Sequence, residues 1–245
     1  MKRLRIFAGP NGSGKSTIKQ VVEDAGVHLG VYINADDYKK EINRLHAFDW
    51  TKIGLQCDVN HFMAAYKEAG NLYTLSEGDK LSSLLSFNKN GFTIPEDCEV
   101  NDYFTSFLAD YIRYRLLEKG VKFTFETVMS HPSKLDFITQ AQNQGYRIYL
   151  YFVSLIDPAL NAERVRVRVQ NGGHDVPVNK INERYERTMN LLWDAICIAD
   201  KTYIFDNSYS EPKWFATVIN GGLELKKDVE YIPAWFHTFV LEKIK

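Results

Sequence analysis

Apolar and polar positions fall along this chain in blocks that predict alternating strands and helices. Leu4 to Ala8, broken only by Arg5, reads as a buried strand, and Ile18 to Ala25 as the opening of a helix. Val31-Tyr32-Ile33-Asn34 predicts a second, short strand. Beyond Asp102, residues Phe104, Leu108, Tyr111, Ile112 and Leu116 share one helical face, and Lys119-Gly120 supplies a stop. Lys122 to Glu126 alternates like a strand, and the helix that follows Pro132 carries Leu135 and Ile138 and ends at Gly145. Tyr146 to Leu155 is a long apolar run, the pattern of a central strand buried on both faces. Thr202 to Asp206 predicts a further strand. Asn220-Gly221-Gly222, between Trp214–Ile219 and Leu223–Leu225, signals a hairpin, and Trp235 to Ile244 reads as a short terminal helix or tail.

Two stretches resist a simple period. Glu163 to Val169 alternates strictly, which suits a strand with an arginine face. Asp157-Pro158, however, combines an N-cap with a first-turn proline, and on a helix Arg164 and Arg168 share one side. The helix is the preferred assignment. A loop at 171–177 then leads to a second helix with Ile181, Tyr185, Met189, Leu192 and Ile196 on its buried face and Arg184 and Arg187 off it. Residues 44–100 carry aromatics (Phe48, Trp50, Phe62, Tyr66, Tyr73) and turn residues (Gly54, Gly70, Gly78, Asn90-Gly91). Helical patches are expected around 58–69 and 79–87, in a segment inserted as a substrate cap or partner surface. The whole pattern predicts an α/β fold: a mostly parallel sheet with helices on both faces and a C-terminal hairpin. A single domain over 1–245 is expected, with a helical lid at 157–197.

Length and charge narrow the partners. The chain of 245 residues can bury a substantial core. Lys and Arg total 30 against 31 Asp and Glu, which gives no argument for nucleic acid or a membrane surface as partner. Cys57, Cys98 and Cys197 form neither a disulfide framework nor a metal cluster, so a reducing cytoplasm is expected. No apolar segment approaches membrane-spanning length, and no signal peptide is visible.

The chemistry centres on Gly9-Pro10-Asn11-Gly12-Ser13-Gly14-Lys15-Ser16-Thr17, which fits the phosphate-binding P-loop and lies between a strand and a helix, as that motif requires. Its glycines let backbone N–H groups turn towards phosphate oxygens, Lys15 reaches the β- and γ-phosphates, and the Ser16 hydroxyl sits on Mg²⁺. Polar groups follow two other strands: Asp36 and Asp37 after the second, and Glu126, Thr127 and Ser130 after the third. In open α/β sheets ligands bind at strand C-termini, so Asp36 can face the γ-phosphate. Capping of the next helix is the simpler job for Asp36, and Ser130 or Ser133 can cap likewise. The two-helix unit with Arg164, Arg168 and Arg184 resembles the lid of small P-loop kinases, whose arginines neutralise the transferring phosphoryl group. A solvated basic face is the alternative. His174 reads as a hydrogen-bonded loop residue, and Asp206-Asn207-Ser208 as a turn near the base or ribose. Leu75 to Asp79 only faintly matches the ABC-transporter signature, and no strand ending in Asp-Glu follows it. That absence favours a kinase over a motor or transporter ATPase.

The P-loop, Ile33-Asn34-Ala35-Asp36, Phe125-Glu126-Thr127, Gly172 to Pro177, Arg184-Tyr185 and Asp206-Asn207-Ser208 together resemble the zeta toxin family over about 1–43 and 102–208. The resemblance implies a kinase that uses ATP and Mg²⁺. It implies UDP-N-acetylglucosamine as a hydroxyl acceptor and a small antitoxin as partner. Asp36 would be the general base, Glu126 would fall in the substrate-binding position, and Arg164, Arg168 and Arg184 would be the lid arginines. Family members with sugar-nucleotide activity carry an E-G-T-x-R-like segment, where this chain has Glu126-Thr127-Val128-Met129-Ser130. A substrate arginine is therefore missing there. Together with the unmatched residues 44–100, this leaves the acceptor open to another nucleotide, sugar or polar metabolite. A nucleotide-binding switch with weak ATPase activity is the reading from a different class.

Overall fold

The computed structural model describes residues 1–56, 58–69, 83–173, 175–227, 229 and 231–244. In chain order the first elements are β1 (Arg3–Ala8), α1 (Lys15–Asp24), β2 (Val31–Ile33), α2 (Ala35–Leu45), β3 (Ala47–Asp49), α3 (Val59–Glu68), β4 (Ser86–Phe87), β5 (Gly91–Thr93) and α4 (Asp102–Lys119). Then come β6 (Phe123–Thr127), α5 (Ser133–Asn143), β7 (Arg147–Ser154), α6 (Pro158–Gln170), α7 (Val178–Asn190), α8 (Leu192–Ile198), β8 (Lys201–Asp206), β9 (Lys213–Ile219), β10 (Gly222–Leu225) and α9 (Ala234–Phe239). The chain divides into two compact units, Met1–Gly30 with Lys122–Lys245, and Val31–Val121.

The first unit is built on a sheet whose strands run in the order β10-β9-β8-β7-β1-β6. The pairs β8/β7, β7/β1 and β1/β6 are parallel, and the hairpin strands β9 and β10 add antiparallel at one side. Both faces are covered, which is why the parallel strands bury apolar side chains on both sides. On one face Phe7, Tyr151, Val153 and Phe205 pack with Ile18, Val22 and Leu29 of α1 and the loop after it. On the other, Phe137 of α5 meets Phe123 and Phe125, and Trp235 of α9 meets Phe152 at 6.0 Å between ring centroids. This is the α/β architecture of the P-loop proteins, with the P-loop at the C-terminal end of a central strand.

The second unit has its own core. Trp50, 1% exposed, makes edge contacts with Phe48, Phe62, Phe92 and Tyr111 at centroid distances of 4.9, 5.8, 6.3 and 5.7 Å. Phe62 reaches Phe107 of α4 at 5.4 Å. A three-stranded antiparallel sheet, β3-β5-β4, frames this cluster. Lys39 of α2 pairs with Asp102 of α4 at 2.7 Å, and Asn43 exchanges hydrogen bonds with the Val100 backbone. The described residues of 44–100 therefore share one aromatic core with α2 and α4.

The helical patch expected at 58–69 is α3. Of the patch expected at 79–87, residues 79–82 lie outside the described residues, Ser83 and Leu84 are helical, and Ser86–Phe87 is strand β4, paired with β5 around the Asn90-Gly91 turn. The expectations at Cys57, Gly70, Tyr73, Leu75–Asp79 and His174 also lie outside the described residues. Glu163–Val169 is helix, as the Asp157-Pro158 start favours: the Asp157 carboxylate accepts from the Ala159 amide at 2.8 Å.

Candidate nucleotide site

The P-loop connects β1 to α1 as a turn held from several sides. The Ser13 amide donates to the Pro10 carbonyl at 3.2 Å. Gly14 caps α1 in the left-handed region, no side chain caps that helix, and its first turn carries no acid. A helix start of this kind presents amide N–H groups and a partial positive charge to an anion. Lys15, half-buried, folds back so that its Nζ donates to the carbonyls of Gly9 and Pro10, each at 3.0 Å.

Two asparagines grip the loop from outside. Asn161 in α6 donates from Nδ2 to the Asn11 carbonyl at 2.6 Å. Asn207, just after β8, donates from Nδ2 to the Ser13 carbonyl at 2.9 Å. Their closeness explains two glycines. A Cβ on Gly12 would lie 2.5 Å from the Asn161 carbonyl oxygen, and one on Gly14 would lie 2.1 Å from Asn207 Nδ2. Asn207 is itself fixed: its amide donates to Ser154 at 3.0 Å, and its carbonyl accepts from Arg164 Nη2 at 2.6 Å. Asp206 shapes the same turn by accepting from the Ser208 amide at 2.8 Å and from the Tyr231 hydroxyl at 3.1 Å. Burial, then the hydrogen bond to Tyr209 and the charge of Asp206, raise the Tyr231 hydroxyl above its ordinary pKa. Asp206-Asn207-Ser208 is thus a brace for the P-loop.

At the other side of β1, parallel register sets Glu126 opposite Phe7 and Thr127 opposite Ala8. Ser16 Oγ donates to Glu126 Oε2 at 3.4 Å. The Thr127 hydroxyl accepts from the Met129 amide at 3.0 Å and so is used within the turn; Met129 is buried with a φ of 57°. Ser130 follows, half-buried.

The expected lid arginines occupy different surroundings. Arg164 Nη2 donates to the carbonyls of Asn207 and Tyr209, at 2.6 and 3.4 Å. Arg168 is half-buried, and Gly173 folds over it: the Gly173 amide donates to the Arg168 carbonyl at 2.9 Å, and a Cβ there would lie 2.5 Å from Arg168 Cγ. Arg184 is half-buried on α7. Thr188 ties α7 to the strand-end turn by donating to the Val128 carbonyl at 2.8 Å.

The structure thus brings the P-loop, Glu126, Thr127 and Arg164 together in the first unit. Asp36 belongs to the second unit, where it is exposed in the first turn of α2. The cap of that helix is Asn34, whose Oδ1 accepts from the Asp36 amide at 3.0 Å, so Asp36 does not perform the capping job considered for it. Sequence reasoning missed Asn161 altogether; nothing in the local pattern marks an asparagine in a helix's first turn as a loop clamp.

The zeta toxin family model matches residues 95–211. No curated protein matches the chain. Among solved structures, a chain of the AvrRxo1-ORF1:AvrRxo1-ORF2 complex with sulphate ions superposes with a TM-score of 0.54 at 15% identity, over 93% of this chain and 62% of its own. The same complex with ATP gives 0.53 at 15%, over 92% and 61%. A structure of the PezAT chromosomal toxin–antitoxin system of Streptococcus pneumoniae gives 0.47 at 13%, over 97% and 78%. The chain spans about three-fifths of the length of the AvrRxo1 chains. At these identities the first two likenesses show a shared fold.

Proposed function

From the match of residues 95–211 to the zeta toxin family model, we propose that this chain is an ATP-dependent kinase of zeta toxin type that transfers the γ-phosphoryl group to a hydroxyl of a small molecule. The observation that carries the reading is the uncapped start of α1, with the glycine turn and Lys15 converging on it. Such a start offers N–H donors and positive charge to a chain of phosphates. The AvrRxo1 complex that shares the fold was solved with ATP, which supports the same nucleotide here.

The proposed chemistry needs positioning and charge neutralisation rather than a covalent intermediate on the protein. The acceptor oxygen attacks the γ-phosphorus, the bond to the β–γ bridging oxygen breaks, and ADP leaves. Asp36 takes the acceptor's proton as general base. Lys15 leaves its two loop carbonyls to reach the β- and γ-phosphates. Arg168 and Arg184 supply positive charge from the lid, and Arg164 anchors the lid helix to the brace at Asn207. Mg²⁺ suits the hard oxygen donor at Ser16 and would neutralise phosphate charge. Thr127 and Ser130, the polar groups that follow the strand end, serve the acceptor side, to which the family resemblance also gives Glu126. UDP-N-acetylglucosamine is the acceptor to try first, and another sugar or nucleotide metabolite the second. The AvrRxo1 neighbour was solved as a complex of ORF1 with ORF2, which supports a protein partner, and the family resemblance makes a small antitoxin the partner to test. Among the described residues no helix is long and apolar enough to cross a membrane.

The test is transfer from γ-labelled ATP, with Mg²⁺, to UDP-N-acetylglucosamine and separately to a pool of cytosolic metabolites. Label on either, absent with Asp36→Asn, is the expected result. Label on a metabolite other than the sugar nucleotide replaces the acceptor and keeps the kinase. Label only in free phosphate, or nowhere, would refute the kinase and favour a nucleotide-binding switch.

A further inference from the structure

Family resemblance gives Glu126 to the acceptor and leaves Ser16 as the sole protein group on the metal. The geometry points to a different division: Glu126 is the second protein group of the magnesium site, acting with the Ser16 hydroxyl. The inference rests on the nucleotide-binding reading above and deepens it.

Topology is the first support. P-loop enzymes hold Mg²⁺ with the Ser or Thr of the loop and a carboxylate of the Walker B strand. The sequence shows no hhhhDE run, yet β6 lies directly beside β1, parallel, with Glu126 opposite Phe7 at the level where the P-loop begins. Phe123, Thr124 and Phe125 are buried ahead of it, so β6 is a buried strand ending in an acid. Nothing in the local pattern could reveal this, because it depends on which strand is neighbour to β1.

Contact is the second. Ser16 Oγ and Glu126 Oε2 stand 3.4 Å apart, the carboxylate accepting from the hydroxyl. This is long for an O–H···O bond. Hard divalent cations take oxygen donors of this kind, and Mg²⁺ is usually bound by one or two carboxylates plus substrate phosphates.

The turn is the third. Beyond Glu126 the polar groups of the turn are committed elsewhere: the Thr127 hydroxyl accepts from the Met129 amide, and the Val128 carbonyl accepts from Thr188 at 2.8 Å. Glu126 is thus the one acidic group of β6, and the turn that follows it is tied to α7.

The roles separate cleanly in nucleotide binding without acceptor. A carboxylate beside the β- and γ-phosphates repels them when no cation is present and favours them when one is shared. A group that only binds acceptor does neither. ADP affinity of the full chain is therefore measured by titration calorimetry, in Mg²⁺ and in EDTA, for wild type, Glu126→Gln and Glu126→Asp. In wild type Mg²⁺ tightens ADP binding. In Glu126→Gln that gain is expected to shrink on the order of 10–100-fold, with affinity in EDTA equal or better. Glu126→Asp, which keeps the charge on a shorter arm, is expected to recover part of the gain. An undiminished Mg²⁺ gain in Glu126→Gln overturns the inference. So does loss of ADP binding in Mg²⁺ and EDTA alike without recovery in Glu126→Asp. Wild type that binds no ADP overturns the nucleotide-binding reading itself, a separate outcome.

Discussion

Replacing Asn207 by alanine should loosen the P-loop without dismantling the turn that carries Asn207. The main-chain bonds of this residue, its amide to Ser154 and its carbonyl from Arg164, survive truncation of the side chain. What disappears is one donor, Nδ2 to the Ser13 carbonyl at 2.9 Å. Asn207 is 6% exposed and Ser13 is fully buried, so water does not readily replace that donor. A buried acceptor left without its partner costs about 1–3 kcal/mol. The expected loss is about 2 kcal/mol, which for a chain of this size lowers the melting temperature by roughly 4–8 °C. If about 1 kcal/mol of loop ordering then falls on the binding step, ADP affinity weakens about fivefold. Asn207→Asp should be worse than alanine, because it sets a carboxylate against the Ser13 carbonyl and near the phosphates. Thermal melting by circular dichroism, with and without ADP, and calorimetric titration of ADP measure both effects. An Asn207→Ala variant with wild-type melting temperature and wild-type ADP affinity would refute the brace, as would an aspartate variant that binds ADP more tightly than alanine.

The other consequences are more direct. Asp36→Asn should keep ADP affinity and lose transfer by roughly 100-fold or more, the usual worth of a positioned base, whereas Lys15→Ala should lose transfer and bind nucleotide more weakly; single-turnover kinetics with parallel ADP titration separates them. Trp50→Ala should destabilise the unit of residues 31–121 by about 3–5 kcal/mol, read as earlier urea unfolding with unchanged slope. Burial, reinforced by Tyr203 and opposed by Arg5, pushes the Tyr151 hydroxyl up to about 12. A proton held more tightly when folded stabilises the protein below the unfolded value of about 10, and that stabilisation is lost as pH rises from there to about 12. Alkaline unfolding of Tyr151→Phe should therefore be less steep with pH over that window than wild type.

How far the sequence could be read depended on whether each feature was specified locally. The P-loop was legible because its glycines answer local backbone demands at fixed spacing. The central strand β7 was legible because burial on both faces leaves an unbroken apolar run. At Glu163–Val169 two local signals conflicted, and burial shows why capping prevailed. Val165 is 2% exposed but Val167 is 42% exposed, so the alternating valines never formed one buried strand face. Residues 44–100 failed for a different reason: β3, β4 and β5 are two or three residues long, too short for a period of two to stand out, and their core is completed by α2 and α4. The residues that meet the P-loop from outside act across the chain. Asn161 reaches Asn11 over 150 positions, Asn207 reaches Ser13 over 194, and Glu126 meets Ser16 over 110. Each is an ordinary helix, turn or strand-end residue until the order of β8, β7, β1 and β6 places it against the loop. A motif in such a fold therefore identifies the half of the site that binds phosphate through its own backbone. The half that holds this backbone in place, and with it the choice between a metal and an acceptor role for Glu126, is written in the strand order.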